Sequence, residues 1–296
     1  MNRHTITLIR PHQWLKNVFV FTPLFFGRHV TDWNYIWPCT VAFIAFCLAA
    51  SGIYCFNDIH DAEADRQHPV KRKRPVASGA VSKRMAYTVM GTAWVMAFTL
   101  VALGCFYSRS IQNRIIATLL IYIVMNVAYC VKLKQVAILD VFIIATGFVL
   151  RIVAGGLATG IILSHWIVLI TFLLSLFLAV SKRRDDVAIY ETLGVKPRKN
   201  IARYNMDFLN QSIGILGSIT IMCYILYTVS GEVVERIGSR YLYATSVFVL
   251  AGILRYMQLT LVDRKSGSPT MVLLHDHFVH VCIVAWIMAF VIILYA

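Results

Sequence analysis

The chain has 296 residues, of which 59% are hydrophobic and only 14% charged, and it carries a formal net charge of +14. That balance excludes an ordinary water-soluble domain and describes a polytopic membrane protein. The excess positive charge needs no nucleic acid to explain it, because membrane topology and phosphate-bearing ligands both call for lysine and arginine.

Apolar stretches near the spanning length of about 20 residues fall at approximately 13–29, 36–57, 84–106, 114–131, 138–158, 164–181, 211–230, 240–261 and 277–295. Long unalternating apolar runs exclude a β-barrel, and only helices otherwise satisfy their backbone in lipid. The expectation is therefore an all-α bundle of about nine transmembrane helices forming a single domain, 1–296, with cytoplasmic active-site loops at about 57–84 and 181–210. The first span is the weakest, since Pro23 interrupts it and His12, Gln13 and Lys16 open it.

Twenty-one lysines and arginines lie at the amino terminus and in the loops after spans two, four, six and eight, against five on the opposite side. Positive-inside topology then puts the amino terminus in the cytoplasm and the chain in the inner (plasma) membrane as a multi-pass protein. Met1 to Arg10 lacks the apolar core and cleavage site of a signal peptide. The seven cysteines show no C-x-x-C pair and read as small buried hydrophobes.

Arg10-Pro11-His12-Gln13-Trp14-Leu15-Lys16-Asn17 opens the chain with cations around an aromatic residue. It reads either as a surface anchor with Trp14 at headgroup depth or as a phosphate contact through Lys16 and Asn17. The second span then runs into Asn57-Asp58-Ile59-His60-Asp61-Ala62-Glu63-Ala64-Asp65. On a continuing helix Asn57, Asp58, Asp61 and Asp65 share an arc of about 100°. Adjacent carboxylates stand about 5 to 6 Å apart and, at an effective dielectric of about 20, repel by about 3 kcal/mol per pair. A hard cation relieves that repulsion, and Mg²⁺ is commonly held by one or two carboxylates together with substrate phosphate oxygens.

Arg66, His68, Lys71, Arg72, Lys73 and Arg74 follow at once. Pro69 and Pro75 interrupt helical geometry, so this segment is expected to fold back over the helix end and bring its cations there. Further on, Arg151 lies deep in span five and must face the protein interior, since a mid-membrane arginine costs at least about 2.5 to 3.5 kcal/mol. Ser181-Lys182-Arg183-Arg184-Asp185-Asp186 repeats the pairing of cations and carboxylates at a helix end, and Arg255 in span eight needs a partner.

These residues resemble the UbiA superfamily of intramembrane prenyltransferases, whose Asn-Asp-x-x-Asp-x-x-x-Asp motif is matched by Asn57, Asp58, Asp61 and Asp65. Arg10-Pro11-x-Gln13-Trp14-x-Lys16-Asn17, His68-Pro69-x-Lys71-x-x-Arg74-Pro75-x-Ala77-Ser78-Gly79, Tyr129-x-x-Lys132 with Asp140, Ser181-Lys182-Arg183-Arg184, and Gly267-Ser268-Pro269 with Asp276 are most similar to its decaprenyl-phosphate phosphoribosyltransferase branch. A second D-x-x-x-D motif is absent after span six, where Asp185 and Asp186 are adjacent.

The resemblance implies a UbiA-like bundle and Mg²⁺-dependent transfer of 5-phosphoribose from phosphoribosyl pyrophosphate to a polyprenyl phosphate. It assigns catalysis to Asp58, Asp61 and Asp65, with Asn57 completing the metal ligands. Lys71, Arg74, Lys182, Arg183 and Arg184 would clamp phosphates, and Lys16, Tyr129 and Lys132 would orient the lipid phosphate. Asn17, His68 and Asp140 join the substrate-binding set by the same resemblance, while self-association into a homo-oligomer is left open. The rival within the superfamily moves a prenyl group from its diphosphate to an aromatic or other acceptor. A non-enzymatic rival, an ion-coupled carrier, would place its acidic cluster at the midplane instead of at a helix end.

Overall fold

The computed structural model describes residues 3–67, 71–104, 106, 108–193, 199–263, 272 and 275–295. Among the described residues there is no strand, and eight helices are long and apolar enough to cross a membrane. Backbone contacts divide the chain into two compact units, Met1–Lys134 with Thr146–Leu163, and Gln135–Ala145 with Ser164–Ala296.

The first unit contains α1 (Arg3–Ile9), a 3-10 segment (Pro11–Phe21), α2 (Thr22–Phe26), α3 (Trp33–His60), α4 (Ala62–Arg66), α5 (Lys83–Leu103), α6 (Arg109–Val131) and most of α7 (Leu139–Thr159). α3 is apolar on every face, which is the pattern of a helix enclosed by others; Asp32 caps its start by accepting from the Asn34 N–H at 2.9 Å. α5, α6, α1 and the 3-10 segment all pack on it. A Cβ at Gly52 would lie 2.2 Å from Trp94 Nε1, so only glycine admits that indole, which donates to the Ala49 carbonyl at 3.2 Å.

The first expected span, 13–29, is not a single α-helix. Eleven residues of 3-10 helix followed by the five of α2 cover about 30 Å at about 2.0 and 1.5 Å per residue, still the thickness of a hydrocarbon core. Tertiary contact stabilises this conformation: the Val20 carbonyl accepts from Cys39 Sγ at 3.3 Å, and a Cβ at Gly155 on α7 would stand 1.9 Å from the same oxygen.

The second unit contains the start of α7, α8 (His165–Leu193), a 3-10 turn (Lys199–Arg203), α9 (Met206–Val229), α10 (Gly231–Ile237), a 3-10 turn (Tyr241–Thr245) leading into α11 (Ser246–Leu261), and α12 (His277–Tyr295). Phe177, Val187, Ile201, Tyr204, Ile213 and Tyr256 are among its core residues. The stretch from 181, expected as a loop, is instead the last turns of α8. No glycine or proline interrupts 165–193, and an i,i+3 pair between Arg183 and Asp186 braces the end.

Candidate active site

α3 stops at His60 because Asp61 leaves helical geometry (φ −90°, ψ 0°), and the chain restarts as α4. The bend lets Asp58 and Asp65 converge on one guanidinium. Arg74 Nη1 lies 2.7 Å from Asp65 Oδ2 and 3.6 Å from Asp58 Oδ1. Asp58, enclosed by protein, also accepts from Arg10 Nη2 at 2.5 Å. Asp61 receives Lys134 Nζ on both oxygens, at 2.6 and 2.7 Å, and lies 3.1 Å from His60 Nδ1. Burial alone would raise the Asp61 carboxyl, but Lys134 and His60 outweigh it and hold it below the usual carboxylate range.

The basic segment folds back as its prolines imply. Val76, Ala77 and Val81 are buried, Val76 and Val81 in an apolar cluster with Leu8, Cys55, Ile59 and Ala86. Val81 N–H donates to the Pro75 carbonyl at 2.9 Å, and Arg66 Nε to the Ala77 carbonyl at 3.2 Å. These anchors bring Arg74 to the acidic face. Arg10 arrives from the other side with its backbone in the left-handed region at φ +51°, a conformation a non-glycine residue keeps only when its surroundings enforce it. Its guanidinium also stands 5.0 Å above the Tyr54 ring.

Arg10 and Lys134 are the residues that sequence reasoning left out. Arg10 opens a motif already noted, and Lys134 lies two positions after the expected Lys132, which is exposed at the end of α6. Asn57, Lys16, Lys71 and Tyr129 are half-buried in the same unit, while His68 and the Gly267-Ser268-Pro269 motif lie outside the described residues. Asn17 is fully buried. Its amide oxygen accepts from Arg151 Nε at 2.7 Å and its amide nitrogen donates to Cys47 Sγ at 3.2 Å. Arg151 bonds further to the Gly147 carbonyl and the Tyr122 hydroxyl, at 2.6 and 2.7 Å, so it braces α6, α7 and the 3-10 segment through neutral groups. Trp14 donates to Ser51 Oγ at 3.0 Å, which ties it to α3.

The second unit gathers its own polar cluster. Asp140 and Arg183 are both fully buried, with Arg183 Nε 2.8 Å from Asp140 Oδ2 and Nη1 2.5 Å from Asp186 Oδ2. Arg184 is also enclosed. It donates to Asn210 Oδ1 at 2.7 Å and to the carbonyls of Thr260 and Leu261 at 2.5 and 3.3 Å, satisfying the end of α11. Lys182 alone of the three is half-buried. Arg255 meets its partner in Asp276 at 2.8 Å, and that ion pair holds the Asp276 carboxyl below the usual range.

Among the described residues, no three histidine, cysteine or acidic side chains stand close enough to hold a metal ion. The donor set is nonetheless that of a hard cation, four oxygen-bearing residues at one helix end. Asp58 Oδ2 is buried and accepts no hydrogen bond, which is expensive for a carboxylate oxygen unless a ligand completes it. On that observation Asp58 has an oxygen to offer a cation, while Asp61 and Asp65 are held by Lys134 and Arg74.

The profile of the UbiA prenyltransferase family matches residues 18–280. The decaprenyl-phosphate phosphoribosyltransferase of Mycolicibacterium smegmatis is 34% identical over 293 residues, covering 95% of this chain and 89% of that protein. That of Corynebacterium glutamicum is 34% identical over 297 residues, covering 98% and 86%. Among solved structures, a UbiA homolog from Archaeoglobus fulgidus bound to GPP and Mg²⁺ superposes with a TM-score of 0.70 over 99% of this chain and 100% of that one, at 17% identity, a likeness of fold.

Proposed function

Because the chain belongs to the UbiA prenyltransferase family, we propose that it transfers the 5-phosphoribosyl group of phosphoribosyl pyrophosphate to a polyprenyl phosphate and releases pyrophosphate. The similarity to phosphoribosyltransferases along nearly the whole chain supports this choice over prenyl transfer. The observation that carries it is the matched charge at the end of α3, where Asp58, Asp61 and Asp65 face Arg10, Arg74 and Lys134. Such a network offers carboxylates that would take a cation and side-chain cations that would take phosphates.

Asn57, Asp58, Asp61 and Asp65 would hold the Mg²⁺, while Arg10, Arg74 and Lys134 would turn to the donor's phosphates, the arginines as forked donors and the lysine as a point charge. When bound, the metal shields the negative charge that builds on the departing pyrophosphate. The acceptor phosphate is already an anion near neutral pH, so its oxygen attacks C1 of the ribose without a dedicated base. The C1–O bond to pyrophosphate breaks, and the electron pair leaves with that oxygen. Lys16, Tyr129 and Lys132 orient the lipid phosphate, and Lys71 adds a cation to the donor side. Lys182 takes the phosphate-binding role in the second unit; the internal bonds of Asn17, Arg183 and Arg184 support bracing roles for them.

In the same reading the amino terminus and the acidic motif face the cytoplasm of the inner membrane, supported by the twenty-one to five distribution of basic residues. The test is incubation of purified protein with radiolabelled phosphoribosyl pyrophosphate, polyprenyl phosphate and Mg²⁺. Label entering the organic phase supports the proposal. Label confined to the aqueous phase overturns it.

A further inference from the structure

The turn that opens α7 holds Ile138 at φ +69°, where a β-branched residue is a genuine outlier. Its side chain is 52% exposed, so packing of that side chain does not impose the conformation. Tyr204 does. The buried Tyr204 hydroxyl accepts from the Ile138 N–H at 2.7 Å and donates to Asp140 Oδ1 at 2.7 Å. Asp140 in turn meets Arg183, and Arg183 meets Asp186. All of these residues belong to the second unit, and Lys134 precedes Ile138 by four positions along the chain.

We propose that Tyr204 is a positioning residue whose single hydroxyl clamps the strained Ile138 turn and the Asp140 carboxylate together. The clamp fixes where α7 begins and how Asp140 presents itself to Arg183. One atom uses both of its roles, acceptor to a backbone N–H and donor to a carboxylate. Tyr204 belongs to the second unit's core cluster and its ring stacks on Phe208 with centroids 6.3 Å apart, which keeps the hydroxyl in place. For catalysis the clamp rests on the reading above, in which Lys134, four residues before this turn, binds the donor.

The experiment compares Tyr204→Phe, Ile138→Gly and the double variant. Tyr204→Phe keeps the ring and removes the hydroxyl, and the donor KM rises by about tenfold, the size of one lost bond to a charged group, with a much smaller change in kcat. Glycine adopts positive φ without steric cost, so Ile138→Gly lets the turn form unaided. The double variant recovers most of the wild-type KM. Amide hydrogen exchange on the substrate-free protein gives the second readout, with Ile138 exchanging faster in Tyr204→Phe than in wild type.

A double variant as impaired as Tyr204→Phe, or a Tyr204→Phe protein with unchanged KM, overturns the positioning role. Unchanged exchange at Ile138 overturns the clamp itself, whatever reaction the protein catalyses, so that failure is distinct from failure of the transfer reading. Should Tyr204→Phe alone not purify as a folded protein, the double variant decides: recovery with near wild-type KM supports the clamp, and no recovery refutes it.

Discussion

Lys134 closes its ammonium on both carboxylate oxygens of Asp61, at 2.6 and 2.7 Å, across 73 residues of sequence. Lys132, two positions earlier, is exposed. The pairing makes Lys134 the lysine that serves the acidic motif. Lys134→Ala is expected to raise the donor KM by about 10- to 100-fold, the worth of one charge-assisted bond, while Lys132→Ala, on the acceptor side, changes the donor KM by a few-fold at most. Initial rates across donor concentrations check this, and equal rises in the two variants would contradict it.

The same ion pair sets an acid limit. Asp61 is held below the ordinary carboxylate value of about 3.9 despite its burial, because Lys134 and His60 outweigh that burial. A depressed folded-state value contributes stability above the unfolded value that is lost as pH falls through the depressed one. The gap in melting temperature between wild type and Lys134→Met should therefore stay constant from pH 8 down to about pH 4 and close below it. A gap that closes between pH 8 and 6 would show that another group sets it.

Arg184 reaches from α8 to the terminal carbonyls of α11 and to Asn210. Leaving a buried acceptor of this kind without its donor costs about 1 to 3 kcal/mol. Arg184→Ala should then lower the melting temperature of the detergent-solubilised protein while leaving the donor KM of the folded fraction near wild type. A KM rise at unchanged melting temperature would return Arg184 to the substrate.

Gly155 lets α7 approach the 3-10 segment until a Cβ would stand 1.9 Å from the Val20 carbonyl. Overpacking of this kind costs about 1 to 3 kcal/mol, and here backbone must move. Gly155→Ala should destabilise the protein by at least that amount, whereas Gly91→Ala, with nothing within 4 Å of its Cβ position, should be neutral or slightly stabilising. Thermal melts of the two variants provide the comparison.

Long apolar runs made the spanning helices legible, because in lipid no other backbone solution exists for them. The acidic cluster was legible from its spacing, although the continuous helix that the spacing assumes breaks at Asp61 and the bend brings Asp65 toward Asp58. What sequence could not convey was tertiary pairing. Lys132 and Lys134 are equivalent by composition, and only the break after α6, with Lys132 at φ −140° and a 3-10 turn after it, decides which one turns inward. The Lys182–Arg184 run reads as a phosphate clamp from sequence, whereas the core closes over Arg183 and Arg184. Asn17 likewise sits in a motif rich in cations, yet its amide is occupied by Arg151, a partner 134 residues away.

The most direct test of the account is the rate of Mg²⁺-dependent phosphoribosyl transfer by Asp58→Asn and Asp61→Asn, with folding and membrane insertion confirmed in parallel. Both variants are predicted to lose turnover while remaining folded. Near wild-type transfer by either one would contradict the assignment of the acidic face as the catalytic centre.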